Sequence, residues 1–145
     1  MKVNRIEQQL IKKSNPIWKI VDEYSYKAKN VYNYVNYIVR QEFINNDKWI
    51  RAYDLQKMCK DADCYRELGS QASQKIIQVL DQNWKSFFKA IKEWKKHPDK
   101  FLGMPKLPKY LPKDGRATFY LKNIQCSLKD SVFRISFKPF GGYSV

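Results

Sequence analysis

Residues 71–96 read QASQKIIQVLDQNWKSFFKAIKEWKK, and this stretch decides the fold. Ile76, Leu80, Trp84, Phe87, Ile91 and Trp94 recur at three- and four-residue steps, the spacing that gathers side chains on one side of an α-helix. Ser70, just after Gly69, supplies a start, and Pro98 a stop. The sequence therefore predicts a helix over Gln71–Lys96 whose apolar stripe must be covered. A matching stripe lies upstream, in Ile17, Ile20, Val21, Tyr24, Ala28, Val31, Val35, Ile38 and Val39. Ser14-Asn15-Pro16 opens that helix with a capping residue type and a proline suited to the first turn. It is expected to run to about Asn45, where Asn45-Asn46-Asp47 ends it. Two long helices with complementary stripes are expected to pack as an antiparallel pair.

Outward from this pair the signals change. Residues 48–69 are less regular, with one short helix expected near Asp54–Cys59 and a loop through Asp61-Ala62-Asp63. Residues 101–116 form a basic connector punctuated by Pro105, Pro108 and Pro112, which forbid regular helix and predict an extended path over a surface. Beyond it, Ala117–Lys122 and Ile124–Leu128 read as strands, Lys129-Asp130-Ser131 as a turn, and Val132–Lys138 as an alternating strand. A weak alternation over Val3–Lys13 predicts a first strand. The layout is α+β: a first strand in residues 1–13, a helical insert in 14–100, the basic linker in 101–116, and returning strands in 117–145. A short antiparallel sheet with one apolar face needs the N-terminal strand or a partner to close it, so it is expected to be incomplete.

The composition narrows the function. The 145 residues carry 28 Lys+Arg against 14 Asp+Glu, a formal net charge of +14. The imbalance is concentrated: residues 84–145 hold 14 basic and 4 acidic side chains. Charge of this size favours a polyanion, because each cation brought to a phosphate releases condensed counterions. No stretch approaches the ~20 apolar residues that span a bilayer, so a membrane-spanning reading is set aside. The N-terminus has no secretory apolar region, and Cys59, Cys64 and Cys126 are an odd, sparse set that reads as reduced thiols in a cytoplasm.

Two helix faces are candidates for contact with nucleic acid. On Gln71–Lys96, the side opposite the tryptophan stripe reads Lys75, Gln78, Gln82, Lys85, Lys89, Lys92 and Lys96, a line of donors without a carboxylate. Like charges at i, i+4 repel by a few tenths of a kcal/mol, so phosphates explain the line better than a solvated face does. On the first long helix, Lys19, Tyr26, Lys29, Asn30, Asn33, Tyr37 and Arg40 interleave aromatic, amide and basic groups. Its tyrosines suit stacking on unpaired bases while the cations hold phosphates; packing against the fold is the alternative. Lys106, Lys109, Lys113 and Arg116 of the connector add phosphate donors. Trp84, Phe87, Phe88 and Trp94 could form a stacking cluster, but three fall on the core stripe. His97 sits beside a helix end with no partner in sequence. The spacing of Cys59 and Cys64 does not match a zinc hairpin, and no second Cys/His pair completes a site. The carboxylates show no arrangement suited to two-metal chemistry, and no phosphate loop or nucleophile elbow is present. No catalytic residue, metal or cofactor is expected.

Four segments also resemble a known family. Tyr26–Tyr34 with Arg40–Ile44, Leu68–Gln74, Asn83–Lys92 and Gly103–Tyr110 are similar, in order and spacing, to the N-terminal region of the OrfB/TnpB proteins of insertion-sequence transposons. The likeness covers roughly residues 4–140. It implies a wedge-type, OB-like β-barrel interrupted by a helical recognition insert. It also implies the N-terminal module of an RNA-guided DNA endonuclease related to type V CRISPR effectors, in a prokaryotic cytoplasm. Recognition helices of that family contact the guide–target heteroduplex and adjoining DNA, and the wedge holds the guide RNA scaffold. The family's RuvC-like nuclease acids and zinc ribbon lie downstream of the residues present, so this chain is expected to bind nucleic acid without cutting it. The alternatives are a truncated, non-functional transposase remnant and an interaction fragment that docks on a separate nuclease chain through its unfinished sheet edge.

Overall fold

A computed structural model describes residues 2–136. In chain order its elements are α1 (Trp18–Asn46), α2 (Ala52–Cys59), α3 (Asp63–Leu68), α4 (Ser70–Lys96), β1 (Cys126–Lys129) and β2 (Val132–Ile135), with 3₁₀ turns at Pro98–Lys100 and Asn123–Gln125. Both long helices are present near the expected bounds. The Asn15 side-chain oxygen accepts the Ile17 backbone N–H at 3.1 Å, so the expected capping residue type does act at this start. At the other end Asp47 adopts φ 53, and the N–H groups of Asp47 and Lys48 close on the carbonyls of Phe43 and Glu42. That paired closure satisfies two carbonyls the last turn would otherwise leave open. Gly69, at φ 98, makes the sharp entry into α4 that a residue with a Cβ would resist.

The core is built where the two stripes meet the short helices. Val31, Val35 and Val39 of α1, Leu55 and Cys59 of α2, Tyr65 and Leu68 of α3, and Ile76, Ile77, Leu80 and Trp84 of α4 are buried together. Residues 47–69 thus contribute two helices; α3 is not expected from the sequence, and it takes in Asp63, expected as the end of a loop. It matters because this leg carries the chain back along α1: Tyr34 of α1 lies near Cys59 and Cys64, and Lys27 near Glu67.

The direction of the long pair is a second correction. Tyr32 meets Asn83, Asn36 meets Trp84, and Phe43 meets Phe87 and Phe88, so positions rise together along both helices. α1 and α4 run parallel because the α2–α3 leg has already made the return.

The connector follows the extended path expected of it and takes the opposite direction. Its residues fall in reverse order along α1: Pro108 at Arg40, Leu111 at Asn33, Lys113 at Lys29, Ala117 at Ser25 and Phe119 at Tyr24. Leu107, Leu111, Ala117, Phe119 and Tyr120 pack onto the helical core.

The expected sheet is reduced. Val3–Lys13 forms no strand; Val3, Ile6 and Leu10 are spaced by three and four residues rather than two, and all are exposed. Ala117–Lys122 is irregular instead of a strand, because the Ala117 N–H bonds the Ser25 carbonyl of α1 and Phe119 packs on Tyr24. Ile124–Leu128 begins as the 3₁₀ turn and becomes strand at Cys126. β1 and β2 form one antiparallel hairpin with Leu128 opposite Phe133. Asp130 and Ser131 turn it with φ 52 and 62, the left-handed pair that a two-residue hairpin loop requires. Among the described residues the sheet has these two strands and does not close, so the fold is α+β and no barrel is formed. The last residues of the expected Val132–Lys138 strand, 137 and 138, and the remainder to 145 lie outside the described residues. Among those described, no helix is long and apolar enough to cross a membrane.

Candidate nucleic-acid interface

The core stripe of α4 fixes where its other side points. With Ile76, Leu80 and Trp84 facing α1, the side chains of Lys75, Gln78, Gln82, Lys85, Lys89, Lys92 and Lys96 all face solvent. None of these lysines is ion-paired among the described residues. Lys75 is partly occupied, its ammonium lying 5.6 Å from the centroid of the Tyr120 ring. Lys85, Lys89, Lys92 and Lys96 have no such neighbour among the described residues, and Lys95 joins them in the last turn. Cations there favour the negative end of the helix dipole, which stabilises α4 with or without a ligand.

The polar side of α1 is arranged differently. Lys29, only 4% exposed, donates its ammonium to the Lys113 carbonyl at 2.6 Å. Asn33 grips Leu111 twice, donating to its carbonyl at 2.9 Å and accepting its N–H at 2.8 Å. Asn36, fully buried, donates to the Pro108 carbonyl and accepts the Trp84 indole N–H at 3.0 Å. Arg40 donates to the Pro108 carbonyl at 2.7 Å, and its guanidinium lies 5.0 Å from the Tyr110 ring centroid. These donors line the bed of the connector. Lys29 and Asn33 are occupied within the fold rather than offered to a ligand, and Arg40 is partly so, which corrects the expectation for this face. The cause is the connector itself: an extended chain outside any sheet has carbonyls that need donors, and α1 supplies them at helical spacing.

What remains open beside this seam is aromatic and basic. Tyr37 is 55% exposed, and Tyr26 and Tyr110 are exposed as well. Tyr26 sits between two cations, Lys29 at 4.0 Å and Arg116 at 5.0 Å from its centroid. Lys106, Lys109 and Lys113 project to solvent without ion pairs among the described residues. Arg116 is engaged: its guanidinium binds the Asp22 carboxylate at 2.9 and 3.3 Å and donates to the Asp114 and Gly115 carbonyls. The guanidinium hydrogen bond holds the Asp22 carboxyl below its ordinary range and raises Arg116 in turn. Sequence reasoning passed over Tyr110 and Lys95. Tyr110 had a usable signal, an aromatic placed between two connector lysines-bearing prolines, Pro108-Lys109 and Pro112-Lys113.

The aromatic cluster is structural. Trp84 is fully buried, and Phe43, Phe87 and Phe88 surround it with centroids 5.2–6.3 Å apart, several pairs edge to face. Phe88, undecided in the sequence, belongs to this cluster, whereas Trp94 is half-buried beyond it. Burial pushes the Cys59 thiol up to about 11 and raises Cys64, the signature of packed rather than reactive thiols. Among the described residues no three His, Cys, Asp or Glu side chains gather closely enough to hold a metal ion. Comparison with models of known protein families, with curated proteins and with solved structures yields no match in any of the three.

Proposed function

We propose that this chain is a nucleic-acid-binding module. The observation that carries the reading is the solvent-facing line Lys85, Lys89, Lys92 and Lys96 on α4, unpaired among the described residues, to which the connector adds the exposed Lys106, Lys109 and Lys113. These cations, with Lys75, hold phosphates. Tyr26, Tyr37 and Tyr110 offer stacking surface beside them, with Arg40 and Arg116 as secondary donors held partly by the fold. The chain binds without catalysing.

The resemblance of Tyr26–Tyr34, Leu68–Gln74, Asn83–Lys92 and Gly103–Tyr110 to TnpB proteins supports a sharper form. In that form the module is the wedge and recognition region of an RNA-guided, transposon-encoded endonuclease, and its ligand is guide RNA or the guide–target heteroduplex. The test is binding of the purified chain to RNA hairpins, RNA–DNA heteroduplexes and duplex DNA across a salt series. Tight binding to one structured RNA or heteroduplex, above the background shared by all polyanions, is the expected outcome. Equal, steeply salt-sensitive binding to every polyanion reduces the chain to a basic remnant of such a protein.

The unclosed hairpin favours a second reading. Leu128 is exposed and Phe133 partly so on one face of β1–β2, and docking of a further strand from a separate nuclease chain would cover them. Co-purification with such a chain, lost in Leu128→Lys, distinguishes this reading.

A further inference from the structure

A second surface has a different chemistry from the lysine line. Where α1 and α4 end side by side, the start of the connector crosses them and leaves an open groove of about 800 Å³. Its floor is apolar: Phe43 from α1, Phe87, Phe88 and Ile91 from α4, Met104 and Leu107 from the connector. Its rim is cationic, with Lys95, Lys106 and Lys109 beside Arg40, and Asp47 is the one carboxylate. The three lysines carry no ion pair among the described residues. Met104 is 60% exposed although it lies against this floor.

We infer that this groove docks an acidic amphipathic helix from a partner protein. The occupant must bring apolar side chains for the floor and negative charge for the rim, which is the pattern of an apolar stripe flanked by carboxylates. Two other proteinaceous occupants fit badly. The chain's own exposed apolar segment, with Val3, Ile6 and Leu10 at helical spacing, carries Lys2, Arg5, Lys12 and Lys13 against Glu7 and would be repelled. A second copy of the chain brings a further net charge of +14 to a rim that is already positive. An unpaired base also fits poorly. Its acceptor atoms would meet the Arg40 and lysine donors, but Asp47 is the lining's only side-chain acceptor, so the amino donors of a base edge would go largely unmet. The inference does not need the nucleic-acid reading to hold, but the two share Arg40, Lys106 and Lys109, so an acidic helix in the groove would compete with phosphates for those cations.

The probe is a fluorescently labelled helical peptide with leucines at i, i+3 and i+7 and glutamates along both flanks, titrated with the full chain. A control peptide has serine at the three leucine positions. The double variant Met104→Asp/Lys95→Glu, both at exposed positions, should weaken leucine-peptide binding by about tenfold or more. Lys60→Ala, an exposed lysine after α2 that is not part of the groove's lining, should leave that affinity within about twofold, since distant sites act independently. If the double variant does not fold by circular dichroism, Lys106→Glu, which removes rim charge alone, carries the same prediction. Equal binding of the serine control overturns the inference in favour of plain charge attraction. So does an unchanged affinity in the folded double variant. An oligo(dT) strand that shifts the Met104 methyl resonance, where the peptide leaves it unmoved, assigns the groove to nucleic acid and overturns the inference as well.

Discussion

The polar faces of α1 and α4 are made from similar donors and end in opposite situations. On α4 the lysines reach water and meet no acceptor among the described residues; on α1 Lys29, Asn33, Asn36 and Arg40 are bonded to carbonyls of the connector. The difference lies in what crosses each face. A segment rich in proline and lacking sheet partners carries acceptors wherever it goes, and it goes over α1. A basic or amide-rich helix face is therefore evidence for anions only after the chain's own unpaired carbonyls have been placed.

The largest expected effect comes from breaking the α1 face at its centre. Asn36→Ala leaves the Trp84 indole N–H without its acceptor inside the core, where an unsatisfied group costs about 1–3 kcal/mol, while the Pro108 carbonyl keeps its bond from Arg40. Urea denaturation should show a loss of about 2 kcal/mol, with nucleic-acid binding by the remaining folded fraction unchanged. A loss below about 0.5 kcal/mol would place Asn36 on an ordinary surface instead. Lys29→Met sharpens the comparison. It removes a buried charge-assisted bond to Lys113, so stability should fall by about 1–2 kcal/mol, while the salt dependence of nucleic-acid binding stays as in the wild type.

The smallest effect is expected where the seam is most exposed. Asp22, held by Arg116, has its carboxyl lowered from the ordinary 3.8. Its contribution is present above that value and is lost as pH falls through the lower value of the folded state. Asp22→Asn should therefore lower stability only slightly at pH 7, since solvent screens so exposed a pair. The gap to wild type should close once pH falls below the lowered value of the folded state, as read from thermal melts at each pH. A gap that persists unchanged into acid would show that packing, rather than the ion pair, is what Asp22 supplies.

Much of this was legible in the residues. The stripes Val31–Val35–Val39 and Ile76–Leu80–Trp84 repeat at helical spacing over several turns, and both helices and their buried faces follow from that. Their relative direction was not legible. It depends on how far the chain travels between them, and α3 spans only Asp63–Leu68, too short for its periodicity to separate from a loop. The strand expected over Val3–Lys13 rested on an alternation without apolar period two, and among the described residues no strand pairs with it to override that weakness. The lysine line of α4 could be read because its spacing alone puts it opposite the core. Lys29 and Asn33 were misread for a chemical reason: a donor looks the same whether it will meet a phosphate oxygen or a peptide carbonyl. Only the reverse-order pairing of the connector with α1 tells the two apart.

The contrast between the faces is tested most directly by the salt dependence of binding to a structured RNA or a duplex, compared between the wild type and Lys85→Ala/Lys89→Ala/Lys92→Ala. Each lost phosphate contact lowers the slope of log K against log salt by about 0.7–0.9, so the triple variant should lose about 2–3 units at unchanged stability. A triple variant with the wild-type slope would contradict the account, because the exposed line on α4 would then hold no phosphates.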